Sequence, residues 1–295
     1  MRDYEKYIRY RTFPSPWCPG CGIGVTLKAI ATAFAELDLN PDDIVAVSGI
    51  GCSGRMPTFF NTNTLHTTHG RALTFATGIK LARPDKNVIV ISGDGDSSAI
   101  GGNHLIHAAR RNIGIKMILI NNGIYGMTGG QVSPLTPQKF ITETTPFGNI
   151  EPKFNIANLL MGAGATFVAR ETVNRMKPLK DVIKKSFLHK GFSVVEVISN
   201  CHVNLGRRNK MKDPISMTKW IAGRTVTKAQ YDKMTPEERN HKYPVGIIHE
   251  NTSRLEYSEL YYKHSVPAAQ EAAKKGPGGA VFAAQKNTIT YRGSK

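Results

Sequence analysis

Residues 87–97 read NVIVISGDGDS: a short apolar run, then two glycines that bracket Asp94. A run of that length bounded by glycine reads as a buried strand. A glycine-rich turn after such a strand is where an α/β fold cradles a phosphate. The acid is out of place there. A carboxylate facing an anionic phosphate is unfavourable unless a cation stands between them, so the stretch suggests a metal-bridged phosphate at a strand end. GDG by itself reads equally as a strand-to-helix turn in which Asp94 caps the helix.

The surroundings favour the first reading. KMILIN (residues 116–121) is a second short buried strand, and the helical pattern NHLIHAARR lies between the two, making a βαβ unit. Adjacent strand ends in a parallel sheet lie about 5 Å apart. Asn122, 28 residues after Asp94, can therefore converge with it on one hard cation. Magnesium fits, because it combines carboxylate oxygen with substrate phosphates in octahedral geometry. Gly93 and Gly95 would allow close approach of the backbone to a diphosphate.

Farther out, an apolar stripe from Ile23 to Leu37 predicts a helix after the CPGCG turn. IVAVS (44–48) predicts a strand and HGRALTFATGIKLARP (69–84) a helix stopped by Pro84. ATFVA and SVVEVIS predict two more strands around a helix near residues 172–187. Strands alternating with helices imply an α/β fold, a mostly parallel sheet with helices on both faces and ligands at the carboxyl ends of the strands. The sheet is expected to end at SVVEVIS. Residues 1–205 then form the main domain, and 206–295 a basic, weakly patterned extension that wraps a partner or the main domain itself, with disorder expected near its end.

Composition sets only broad limits. Of 295 residues, 40% are hydrophobic and 21% charged, which is globular, and 39 Lys and Arg against 22 acids give a net charge of +17. That charge attracts anionic partners without identifying them. No apolar run reaches the roughly 18 residues of a membrane span, and the first residues lack a signal core, so the expectation is a cytoplasmic protein without membrane contact. Structural disulfides are disfavoured there, which leaves Cys18, Cys21, Cys52 and Cys201 as metal ligands, reactive thiols or buried hydrophobes. Cys18 and Cys21 form a CxxC at a helix mouth, while Cys52 and Cys201 follow strand ends. Spacing leaves iron–sulfur and zinc both open.

The stretch GDGDSSAIGGNHLIHAARRNIGIKMILINNGIYGMTGGQVSPLTP, with CPGCG, SGIGCSGR and THGRA upstream and ISNCHVN downstream, resembles the β subunits of 2-oxoacid:ferredoxin oxidoreductases, most of all the 2-oxoglutarate type. The resemblance covers roughly residues 12–205 and implies a thiamine-diphosphate-binding fold of the pyrophosphate type. By that resemblance Asp94, the Asn122 side chain and the Ile124 carbonyl hold magnesium. Gly95 and the run Ile50, Gly51, Cys52, Ser53 border the cofactor, and His69 lies beside it. Outside THGRA, His69 would read as an ordinary helix-start histidine. All four cysteines match the ligands of a [4Fe-4S] cluster.

The implied reaction is oxidative decarboxylation of 2-oxoglutarate with coenzyme A, giving succinyl-CoA and CO2. Electrons pass through the cluster to ferredoxin, and the reverse direction fixes CO2 as in a reductive tricarboxylic acid cycle. The family's cofactor-activating glutamate belongs to an α subunit, so this chain is expected to supply half of a site in an αβ or (αβ)2 assembly. Arg55, three residues after Cys52, is expected to pair with the distal carboxylate of 2-oxoglutarate, and Met127 to form an apolar wall. A solvated arginine and a packed methionine are their plain alternatives.

Competing readings are a pyruvate or broad 2-oxoacid enzyme, a non-oxidative thiamine enzyme with zinc, and a zinc-organised nucleic-acid-binding protein. The last lacks a paired zinc knuckle, an RNA-recognition signature and an aromatic-interleaved basic strand.

Overall fold

The computed structural model describes residues 3–274; the end of the extension, where disorder is expected, lies outside them. Eight strands form one sheet: β1 (Ile44–Ser48), β2 (Asn63–His66), β3 (Asn87–Gly93), β4 (Ile115–Asn121), β5 (Phe167–Thr172), β6 (Ser193–Ile198), β7 (Thr225–Thr227) and β8 (Tyr243–Glu250). Their order is β2-β1-β3-β4-β6-β5-β8-β7. Every pairing is parallel except β5 with β8.

Alternation along the strands divides the core into two layers. Ile89 and Ile91 of β3, Ile118 and Ile120 of β4, and Val195 and Val197 of β6 face one way. There they meet Ile30 and Phe34 of α1 (Gly22–Glu36) and Ile183 of α5 (Met176–Leu188). Val88, Val90, Met117, Leu119 and Val194 face the other way. They pack on α2 (Ala72–Ala82), α3 (Gly102–Arg111) and α4 (Ile156–Gly162) through Leu73, Leu105 and Leu160. The central strands are apolar on both faces because both faces are covered.

The sheet does not end at β6. β8 joins β5 antiparallel, with a bulge between Val168 and Ala169, and β7 adds beyond it. Pro244 and Gly246, the latter at φ 106°, interrupt the β8 pattern, and its outer residues are half-buried, so its period is weak in the sequence. Residues after 206 also pack onto the main domain: Met211 and Met217 meet Ile124 and Leu205, and Ile221 and Tyr243 meet Ile198.

Candidate active site

The carboxyl ends of β1, β3, β4 and β6 gather the residues singled out above. A cavity of about 50 Å3 is lined by Ile50, Gly51, Cys52 and Ser53 after β1, by His69, by residues 93–96 after β3 and by Asn122 and residues 124–128 after β4. Among the larger cavities, two of about 370 and 830 Å3 lie at the opposite strand ends and beside the extension. Neither combines the buried acid with the strand-end glycines, so the small cavity is the chemical one.

Asp94 is 1% exposed, and burial pushes its carboxyl up to about 7. The Ser133 hydroxyl donates to Oδ2. On the other side, one terminal atom of the Asn122 amide lies 2.8 Å from both Asp94 Oδ1 and the Ile124 carbonyl. With Nδ2 in that place the amide donates to both. Turned over, its oxygen joins theirs, and three oxygens from two neighbouring strand ends converge with no proton between them. Only a cation makes that second arrangement favourable, and an all-oxygen donor set suits a hard divalent one. The buried acid, costly by itself, fits a magnesium ion and the diphosphate behind it.

Gly95 is required sterically: a Cβ there would fall 2.4 Å from the Tyr125 ring, whose hydroxyl donates to the Gly95 carbonyl at 3.0 Å. A π-turn (Gly95–Ile100) carries the chain from this point into α3. At about 10–15 Å3 per water, the cavity holds only about four waters, far less than thiamine diphosphate needs. The floor is present and the remaining walls are not.

The cysteines lie at one end of this floor. A Cβ at Gly126 would stand 3.5 Å from Cys201 Sγ and 3.7 Å from Cys52 Sγ. Cys18 is exposed and the other three are half-buried. Burial pushes the Cys21 thiol up to about 12 and Cys52 up to about 11, and the neighbouring cysteines add to both effects. Cys201 is raised by burial first and Cys18 contributes. The four thiols are thus electrostatic neighbours, and Cys21, Cys52 and Cys201 resist ionisation until positive charge is supplied. Among the described residues, no three His, Cys, Asp or Glu side chains already stand as a metal-binding group; the thiols share a neighbourhood rather than a finished cage. The Trp17 indole donates to the Cys52 carbonyl at 2.8 Å.

Met127 lines the cavity and is 44% exposed. Arg55 is exposed on the turn after Cys52 and is not among the lining residues. Sequence reasoning overlooked Ser133, Tyr125 and Asp96. The signal for Asp96 was the second acid of GDGD, two positions after the proposed ligand; Ser133 and Tyr125 carry no spacing signal.

The profile of the family described as thiamine pyrophosphate enzyme, C-terminal TPP binding domain, matches residues 22–197. The 2-oxoglutarate synthase subunit KorB of Methanocaldococcus jannaschii is 47% identical over 246 residues, 83% of this chain and 91% of that protein. Its counterpart in Archaeoglobus fulgidus is 50% identical over 199 residues, 68% of this chain and 74% of that protein. The solved structure of 2-oxoglutarate:ferredoxin oxidoreductase from Magnetococcus marinus, with 2-oxoglutarate, coenzyme A and succinyl-CoA bound, superposes with a TM-score of 0.77 at 30% identity, covering 98% of this chain and 93% of that one. The chain therefore belongs to the thiamine pyrophosphate enzymes, among the β subunits of the 2-oxoacid:ferredoxin oxidoreductases.

Proposed function

We propose that this chain acts as the β subunit of a 2-oxoglutarate:ferredoxin oxidoreductase, which converts 2-oxoglutarate and coenzyme A to succinyl-CoA and CO2 while ferredoxin takes two electrons. The observation that carries the reading is the convergence of Asp94, Asn122 and the Ile124 carbonyl at two adjacent strand ends, beside four mutually interacting thiols. The names of the relatives support the substrate.

Asp94, Asn122 and Ile124 would hold magnesium, and Gly93 and Gly95 would let the diphosphate approach the backbone. Cys18, Cys21, Cys52 and Cys201 would hold a [4Fe-4S] cluster, which removes electrons singly. Thiamine diphosphate, when bound, supplies the carbanion chemistry of decarboxylation. The buried, hydrogen-bonded acid and the glycine floor orient its tail, and an α subunit completes the walls. Those described residues after 206 that do not complete the sheet would face the partner, and Arg55 reaches the distal carboxylate once the partner is docked. The reverse reaction fixes CO2 when reduced ferredoxin is supplied.

The test is anaerobic co-purification with the α subunit. Expected are thiamine diphosphate by mass spectrometry, visible absorption that bleaches with dithionite, and coenzyme A-dependent ferredoxin reduction by 2-oxoglutarate that the isolated chain lacks. A colourless, thiamine-free complex, or turnover by the isolated chain, refutes the reading.

A further inference from the structure

The second acid of the GDGD turn is not spent on the cation. Asp96 is 3% exposed, and its carboxylate is the meeting point of three separate loops. Oδ1 accepts from the Gly70 N–H at 2.7 Å and the Ile50 N–H at 3.3 Å, and faces His69 Nδ1 at 2.5 Å. Oδ2 accepts from the Ser92 hydroxyl. Both backbone contacts are obligate donors, so Oδ1 is an acceptor, and the imidazole nitrogen facing it must carry the proton. The ring's tautomer is thereby fixed: Nδ1 is protonated and held by the buried acid. His69 itself lines the cavity.

The packing preserves this arrangement. A Cβ at Gly49 would lie 1.9 Å from Asp96 Oδ2, so the β1 end is shaped around the carboxylate. The Tyr125 ring stands edge-on to His69 at 6.0 Å, bracing the imidazole from the β4 side.

The geometry points to Asp96 as a positioning residue: it ties the loops after β1, β2 and β3 together and holds His69, a residue of the cofactor cavity wall, in the Nδ1–H form. An imidazole whose Nδ1–H is spent on a buried carboxylate cannot turn or change tautomer without breaking that bond, so its place at the cavity wall is set before anything binds there. The role rests on the reading of this cavity as the thiamine site, but the tautomer does not.

The experiment is 15N NMR of the full chain labelled at histidine, with pH raised until the spectrum shows neutral imidazole, and with His69→Gln assigning the signal. A hydrogen bond to a charged acceptor predicts the Nδ1–H form of His69 in excess of Nε2–H by about tenfold or more. Asp96→Ala removes the acceptor and should abolish that excess. Asp96→Asn keeps an oxygen facing the same three N–H groups and should restore it, a pattern that general loosening of the fold would not produce. An Nε2–H majority in the unmodified chain overturns the proposal even where Asp96→Ala fails to fold, and so does an Asp96→Ala spectrum unchanged from the parent. If the tautomer is as stated but thiamine diphosphate with magnesium fails to bind the assembled complex, the positioning stands and the cofactor reading falls.

Discussion

Lys116, at the start of β4, offers a quantitative test of how the sheet is held at the end opposite the active site. Its side chain is 7% exposed, and Nζ donates to the carbonyls of His189 at 2.5 Å and Gly191 at 3.2 Å. Burial pushes the ammonium down from 10.5 to about 7, with the charge of Lys80 adding to the effect and Glu256 opposing it. At about 1.36 kcal/mol per pH unit, that difference amounts to at most roughly 5 kcal/mol, the free energy by which folding disfavours the charged form.

The direction follows from proton counts. Below about pH 7 the amine is protonated in both states, and stability does not depend on pH through this group. Between about 7 and 10.5 the unfolded chain holds a proton that the folded chain does not, so stability rises with pH. Cys21 and Cys52, whose values are raised in the folded state, act oppositely above about pH 9, where unfolded thiols ionise first. The clean window is therefore about pH 7 to 8.5. Lys116→Met removes the slope and leaves two carbonyls unpaired, an offset of about 1–3 kcal/mol per group that does not vary with pH.

Urea unfolding followed by circular dichroism, for both proteins across that window, should show the parent gaining about 1.6 kcal/mol on the variant between pH 7 and 8.5. A difference constant to within about 0.5 kcal/mol would mean that Lys116 keeps its charge in the folded chain, and the burial argument would be wrong.

Three further outcomes are expected. Gly49→Ala places its methyl against Asp96 and should cost about 1–3 kcal/mol by overpacking; an unchanged unfolding midpoint in urea would show that the β1 end has slack. Cys201→Ser in the anaerobically purified complex should remove most of the dithionite-bleachable absorption and most of roughly four irons; full iron content would exclude this thiol as a ligand. Arg55→Ala should raise the KM for 2-oxoglutarate by about tenfold, as loss of a charge-assisted carboxylate contact implies, while changing that for pyruvate less than about twofold; equal changes would remove Arg55 from substrate choice.

The parallel sheet was legible because its central strands are covered on both faces. NVIVIS and KMILIN have no polar interruption that would blur them, and both occur as strands within a residue of their expected bounds. β2 was not legible: Asn63–His66 is exposed along its length, so it has no hydrophobic signature, and it is held by its ladder to β1. β8 was missed because it is half-covered and broken by Pro244 and Gly246. At the site, Asp94 stood out because a lone acid between glycines violates local expectation. Asp96 did not, since an acid near the start of a helical segment is ordinary, and only the folded arrangement brings it to the loops carrying Ile50 and Gly70. Arg55 shows the converse: its place in the motif suggested a pocket residue, but its side chain is exposed outside the cavity in this chain alone.

The antiparallel pairing of β5 with β8 has a consequence during synthesis. β5 is finished at Thr172, yet the strand that seals its free side runs from Tyr243 to Glu250. Until those residues leave the ribosome, the nascent sheet carries an open border of unpaired amide and carbonyl groups, the kind that recruits other chains. Truncations or translational pauses between these two points should therefore yield aggregates or chaperone-bound chains, whereas a stop beyond Glu250 leaves the border closed.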